Sequence, residues 1–352
     1  MCKDRVNLII HGDRVAFIEG FFELLSRLLI VYIMISVGVI WRFSKYYKPK
    51  YGKWITIITI WFFFPINIIS SFAEIESFAG TTIIIVSMIA VIVHLASFLS
   101  IHLISRKKPP EEVGARVLCS TFPNSLLYPF PIILAILGSF ALIYAAIFVF
   151  IAMILRNSLG VLLGIWYNPD KANISSKDEK SPFMDVKRIM INLLKFPPFL
   201  AVIAGFILYL LVGPKAIGLS DYPTLQPVLE IVKSISLYGA LILVGVSFRA
   251  LDQLHPRNLF SKEVFRVSFV RFLIAPLVIL VCLVLFQVRE PIVAITLLIQ
   301  GMAPPAVINI MYGKFFHLKE DEISLLITSL TILALLILPL ELLILMILFP
   351  IP

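Results

Sequence analysis

Two stretches of this chain concentrate residues that could handle a polar solute inside otherwise apolar surroundings. One reads STFPNSLLYPFPIILAILG and carries Pro123, Asn124, Ser125, Pro129 and Pro131; the other reads IQGMAPPAVINIMYGKF and carries Gln300, Gly301, Pro304, Pro305 and Asn309. Each proline removes an i→i−4 hydrogen bond and clashes with the preceding turn. Backbone groups freed in this way cost several kcal/mol each if they face lipid, so such breaks are tolerated where they line a protein-enclosed, partly wet cavity. Where two broken segments cross, half-helix N-termini aim free N–H groups and positive dipole ends inward. The Asn124 and Asn309 amides can both donate and accept. This chemistry suits a small carboxylate or another polar organic solute. A single kink would be ordinary packing within a bundle; two Pro–Asn clusters at equivalent places argue for a site. The expected solute contacts are Asn124, Ser125, Asn157 and Asn309, and the expected helix breaks are Pro123, Pro131, Pro304 and Pro305.

Other polar groups lie inside apolar runs. Asn157 is too short to reach a membrane surface, which makes it a cavity-lining candidate. Arg156 either snorkels to the interface or carries a functional charge. His94 is a candidate proton carrier, with a helix–helix hydrogen bond as the plainer reading. Arg271 is expected to reach the cytoplasmic headgroups, and Glu341 to snorkel outward. Glu230 and Lys233, three apart, are expected to form a local ion pair. Glu74 and Glu76 fall in a solvated loop.

The chain has no Walker A sequence, HExxH or nucleotide fingerprint, so ATP-driven pumping and metalloprotease chemistry lack support. Cys2, Cys119 and Cys282 show no metal or disulfide spacing, and the last two read as inert packing residues. No enzyme activity, metal or cofactor is expected.

The elements that must position these residues follow from composition. Of 352 residues, 60% are hydrophobic and only 14% charged, against about 25% charged in a soluble protein. The net charge of +9 sits in short blocks between apolar runs. That pattern is membrane topology and not a nucleic-acid surface. A spanning helix needs about 20 apolar residues. Ten segments qualify, near 24–41, 54–72, 81–104, 116–137, 141–167, 190–212, 228–248, 264–286, 291–312 and 323–347. Gly138, Ser139 and Phe140 alone separate the fourth from the fifth. The loops after spans 1, 3, 5, 7 and 9 hold twenty Lys and Arg, whereas the alternate loops hold Lys215 and Arg289. Both termini are therefore expected outside, as a multi-pass protein of the cell membrane. The N-terminus lacks an uninterrupted apolar h-region and a small-residue cleavage site, so it reads as mature chain.

The fold class expected is an all-α integral membrane protein. Residues 1–20 form an N-terminal segment, 21–167 a first five-helix repeat, 168–189 a polar cytoplasmic linker and 190–352 a second five-helix repeat. Five spans per half make the repeats inverted, with broken helices 4 and 9 crossing.

At these residues the chain resembles the auxin efflux carrier family, which includes plant auxin carriers and many prokaryotic permeases. FPNSLLYPFPII (122–133) is similar to the family's fourth-helix motif, with a Pro-Asn pair followed by a crossover proline at Pro131. GMAPPAVINIMYGKFF (301–316) is similar to the ninth-helix motif, and KFPPFLAVIAGFIL (195–208) to the sixth. The resemblance runs from about Leu24 to Phe349. It implies a bile-acid sodium symporter-like fold with helices 1, 2, 6 and 7 as scaffold, and helices 3–5 and 8–10 as a moving transport domain. It also implies elevator-type alternating access, a homodimer, and Asn124 as a substrate contact. Two departures stand out: Asn309 occupies the place of the second crossover proline, and the plant carriers' long central loop is absent.

The function expected is a secondary transporter, or permease, for a small organic anion or carboxylate, with H+ or Na+ as candidate coupling ions and His94 and Arg156 as candidate charge carriers. The alternatives are a sodium-coupled symporter of the bile-acid type, against which the scarcity of Asp and Glu in spans 3, 4, 8 and 9 counts, and a non-transporting membrane receptor.

Overall fold

Proline sets five of the helix starts. The computed structural model describes residues 22, 26–74, 80–169, 195–212, 226–246 and 261–349. After α1 (Ser26–Phe43), the helices α2 (Pro49–Ile58), α5 (Pro110–Thr121), α6 (Pro129–Leu137), α8 (Pro197–Val212) and α12 (Pro291–Gly301) each begin on a proline. There the missing N–H would have no intrahelical partner anyway. The remaining helices are α3 (Phe64–Glu74), α4 (Gly80–Ser105), α7 (Ala141–Tyr167), α9 (Gln226–Val246), α10 (Lys262–Phe269), α11 (Ala275–Leu285), α13 (Asn309–Phe315) and α14 (Glu320–Leu348). Acidic residues in the first turns of α5, α10 and α14 favour the dipole. Ser261 caps α10 by accepting from the Val264 N–H at 3.3 Å.

Two π-turns, Thr59–Phe63 and Val270–Ile274, join α2 to α3 and α10 to α11. Each is followed, one residue later, by a proline, Pro65 or Pro276. A proline ring clashes with the carbonyl four residues back, and a wider turn relieves that clash.

Every regular element among the described residues is helical. Seven runs are long and apolar enough to cross a membrane: Ser26–Phe43, Pro49–Phe72, Gly80–Ser105, Ala141–Tyr167, Gln226–Val246, Lys262–Leu285 and Glu320–Leu345. Pro197–Leu211 and Pro291–Gly301 are apolar but shorter. The fourth and ninth expected spans are each split in two. Gly138, with φ of 81°, ends α6 in the left-handed region, which separates α6 from α7 as the sequence suggested. The N-terminal segment, most of the 168–189 linker, residues 190–194 of the sixth expected span, Glu76, Lys215, Arg249 and Arg257 lie outside the described residues.

Packing follows small residues. α1 crosses α9 with Gly38 against Gly245; a Cβ on Gly245 would lie 2.1 Å from the Ile35 carbonyl oxygen. Only glycine permits that backbone approach. α14 keeps Leu336, Leu340, Ile344 and Leu348 exposed as one stripe and buries Leu330, Ala334, Leu338 and Leu345 on another face, which is the helical period expected of a lipid-facing element.

The buried apolar side chains form two bodies. One gathers α1, α3, α6, α8, α9, α11 and α12; the other gathers α5, α10 and α13. Three long helices run through both. On α4 the boundary falls between Val93 and Ile101, on α7 between Ala152 and Val161, and on α14 between Leu330 and Ala334. On the α10–α11 run it falls between Val270 and Ala275. The polar residues His94, Arg156, Asn157 and Arg271 all lie in these intervals.

A charged cluster closes the α5 end of the second body. Arg116, 1% exposed, pairs with Glu322, with Glu112 at 3.1 Å and with Glu263 at 3.6 Å. Lys319 pairs with Glu112 at 2.8 Å. The sequence reading counted Arg116 as a loop charge; it is instead a buried bridge among α5, α10 and α14. The Lys319 ammonium holds the Glu112 carboxyl below the usual carboxylate range, and Glu112 in turn raises Lys319. Glu230 and Lys233 do form the expected local pair, at 3.3 Å.

Candidate functional site: the crossing of two broken helices

α5 stops at Thr121 and α6 starts at Pro129; α12 stops at Gly301 and α13 starts at Asn309. The two intervening stretches run antiparallel against each other, Pro123 facing Pro305. The Asn124 N–H donates to the Pro304 carbonyl at 2.7 Å, and the Ala306 N–H donates to the Phe122 carbonyl at 3.1 Å. Two helix ends that a membrane interior would leave unbonded thus bond each other.

The carbonyls still left over are met by side chains. The Gly301 carbonyl would bond the N–H of residue 305, but Pro305 has none. The Ser120 carbonyl would bond Asn124 N–H, which is turned to Pro304. Arg271, in the Val270–Ile274 π-turn, supplies both. Its Nη2 donates to Gly301 O at 2.6 Å and Ala303 O at 2.8 Å, Nη1 to Ser120 O at 3.2 Å and Nε to Ala303 O at 3.1 Å. The residue is 2% exposed. It does not reach the headgroups, as the sequence reading expected. A planar five-donor fork suits converging carbonyls better than lipid phosphates once the breaks bring those carbonyls together.

Arg156 lies between Ala152 and Val161, and its Nη2 donates to the Pro123 carbonyl at 2.9 Å. Its Nε is buried without a protein partner. Neither Arg156 nor Arg271 has a carboxylate in salt-bridge range among the described residues. His94 lies within electrostatic reach of both. Its Nδ1 bonds the Ala90 carbonyl of its own helix at 2.6 Å, so that nitrogen carries the proton and Nε2, buried and unpartnered, presents a lone pair. The ring packs beside Phe122 and Phe148.

The other expected residues gather here with different partners. Asn124 accepts from the Leu127 N–H at 3.3 Å through Oδ1, and its side-chain NH2 bonds none of the described residues. Ser125 is buried, its Oγ 3.5 Å from the Pro123 carbonyl. Asn157 donates to Met153 O at 2.7 Å and accepts from the Tyr312 hydroxyl at 3.3 Å. Asn309 is fully buried, and its Nδ2 donates to Leu118 O and Phe122 O, both at 3.1 Å. It caps α5 from across the crossing, and its Oδ1 has no partner. Pro304 and Pro305 are at the chain contact; Pro131 lies in the first turn of α6, beyond it.

Several residues that make or flank the crossing keep buried polar atoms without protein partners: His94 Nε2, Thr121 Oγ1, Arg156 Nε, both amide atoms of Gln300 and Asn309 Oδ1. Of the residues that gather here, sequence reading passed over Tyr312 and assigned Arg271 to the headgroups. The signal for Arg271 was an arginine deep in an apolar run, five residues before Pro276. Cys119 and Cys282 are buried free thiols.

No curated protein matches the sequence. The family model described as membrane transport protein matches residues 23–342, nearly the whole chain, and it fits a multi-pass helical protein whose polar groups converge on two crossed helix breaks: the chain belongs to the membrane transport protein family, the auxin efflux carrier family.

Proposed function

We propose that this membrane transporter is a secondary carrier for a small organic anion, with the solute bound where the two broken helices cross. The observation that carries the reading is electrostatic. Two arginines, Arg271 buried and Arg156 half-buried with its Nε shut off from solvent, sit in the polar layer without a carboxylate in salt-bridge range among the described residues, and a buried charge costs several kcal/mol unless something compensates it. Backbone carbonyls offset part of that cost for Arg271. A solute carboxylate would complete the compensation, taking hydrogen bonds from Arg156 Nε and the Asn124 amide. Ser125 and Asn157 would border the solute, while Asn309 would hold the crossing through Nδ2 and offer Oδ1.

The same reading gives ten spans in two inverted five-helix repeats, with both termini outside the cell membrane. α4–α7 and α10–α14 move as one transport body, elevator-fashion, against α1–α3, α8 and α9, in a homodimer. Support for this division comes from the arginine and proline contacts, which knit α5, α7, α11, α12 and α13 into one unit, and from the close glycine crossing of α1 and α9.

Uptake by proteoliposomes of a panel of radiolabelled mono- and dicarboxylates tests the function. Asn124→Ala and Arg156→Gln are expected to lower transport of every responsive solute at least tenfold. If both leave transport unchanged, the solute is bound elsewhere. A sodium-coupled carrier of the bile-acid type is the second reading, favoured by the open oxygens Gln300 Oε1 and Asn309 Oδ1. Flux unaltered when choline replaces sodium removes it. Binding without flux in sealed vesicles would point to a receptor.

A further inference from the structure

Glu341 lies far from the crossing on α14, and nothing above uses it. It lies at the edge between the buried face of Ala334, Leu338 and Leu345, which are 1%, 1% and 4% exposed, and the exposed stripe that ends in Ile344 and Leu348, and is itself half-buried. Its Oε1 is shut off from solvent and has no hydrogen-bond partner.

No charged side chain among the described residues pairs with it. From α1, Tyr32 stands within electrostatic reach. Its hydroxyl is committed to the Leu335 carbonyl, the one that Pro339, lacking an N–H, leaves open inside α14. From the start of α6, Tyr128 stands within reach too; it is 2% exposed and its hydroxyl has no partner. The charged groups that other elements bring to α14 are Glu112 and Arg116 of α5, Glu263 of α10 and Lys314 of α13. Their partners on or beside α14 are Lys319, Glu320 and Glu322. At 1.5 Å per residue, Glu322 is about 28 Å along the helix from Glu341. No basic group among the described residues pairs with Glu341.

A carboxylate without a counter-charge in such a place costs several kcal/mol, whereas the neutral acid costs far less. The junction of α1 with α14 is also where, on the transport reading, the moving body slides past the scaffold. From the buried, unpartnered Oε1, the two tyrosine neighbours and this location, we propose that Glu341 is a proton-exchange site. It holds a proton while α1 and α14 are closed on each other and gives it to water when they separate. The step is COOH to COO− plus H+ in one direction and its reverse in the other, with no further reactant.

This inference rests on the transporter reading, so one arm of its test does not depend on transport. A hydrophobic carbodiimide attacks only protonated carboxyls and partitions into lipid. Treated in liposomes at stepped pH and mapped by peptide mass spectrometry, Glu341 should carry the adduct at low pH and lose it severalfold as pH rises. No adduct at any pH, or one indifferent to pH, overturns the proposal. In the second arm, an imposed pH gradient should change wild-type uptake of a responsive carboxylate severalfold. Glu341→Gln should keep counterflow exchange while ignoring the gradient; a Gln variant that responds as wild type does overturns the proposal. Should that variant not fold, the labelling arm decides alone. Should no carboxylate be carried, the labelling arm still stands, and the failure belongs to the solute assignment.

Discussion

Arg271 offers the sharpest test of how the crossing is held. Arg271→Met keeps an unbranched apolar stem and removes every donor. Three buried carbonyls, Ser120, Gly301 and Ala303, then lose their side-chain hydrogen bonds. Leaving a buried acceptor unsatisfied costs about 1–3 kcal/mol, so the gross loss is about 3–9 kcal/mol. Removing the guanidinium returns several kcal/mol of ion desolvation. A net destabilisation of about 3 kcal/mol remains. Arg271→Lys is the informative companion. It retains the cost of burying a cation, but a compact ammonium on a shorter stem cannot span three carbonyls as the planar fork does. The charge-conserving change is therefore expected to be no milder than the apolar one. Thermal unfolding in detergent can be followed by thiol-reactive fluorescence, because Cys119 and Cys282 are buried; a Cys2→Ser background keeps the N-terminal thiol silent. Both variants should melt on the order of 5 °C lower than wild type. A lysine variant that melts and transports like wild type would show that charge alone matters here, and the carbonyl-chelating account would fail.

Two further outcomes follow from packing and pH. Gly245→Val puts a branched side chain where a Cβ already lies 2.1 Å from the Ile35 carbonyl oxygen, so α1 and α9 must part. Folded yield by size-exclusion fluorescence should collapse, whereas Gly80→Ala, with open space around it, should express normally. The Glu112–Lys319 bond sets a pH window. Because the Glu112 value is lowered by Lys319, its contribution is full above the unfolded carboxylate value and is lost as pH falls through the folded one. Lys319 is raised, so its contribution is full below the unfolded lysine value and is lost as pH rises through the folded one. Melting curves of wild type and Lys319→Met should differ by less than about 1 kcal/mol at neutral pH and converge in strong acid and strong base. A gap that is constant with pH would remove the ion pair as its source.

The all-helical, apolar character and the two broken segments were legible because hydropathy and proline act locally. Apolar runs and two Pro–Asn clusters can be read without knowing what packs where. Partners were not legible. Asn309 reads in sequence as a solute amide, yet both its donors turn to the end of α5, a helix some 190 residues earlier. Arg271 reads as an interfacial cation because nothing nearby in the chain announces three open carbonyls, one of them on α5. Arg116 counts as a loop charge until α10 and α14 bring it Glu263 and Glu322.

The misreadings of Arg271 and Asn309 share one cause. A proline in a spanning helix leaves a carbonyl open, and water cannot reach it there, so a donor must come from elsewhere in the fold. Pro305 opens Gly301, and Arg271 of α11's π-turn answers. Pro339 opens Leu335, and Tyr32 of α1 answers. The break at Pro123 leaves α5 to be capped by Asn309 and bonded by Arg156. The donors are polar residues that hydropathy alone marks as misplaced, and the prolines are what make their places correct. The two kinds of answer also differ in reversibility. Arg271 joins elements that share the polar layer, with four hydrogen bonds that would all have to break together. Tyr32 joins α1 to α14 with one hydroxyl, beside an acid that has no partner. If the transport body moves against α1, the single bond at Leu335 is the contact that motion can break and remake cheaply, and the crossing is what it carries along unchanged.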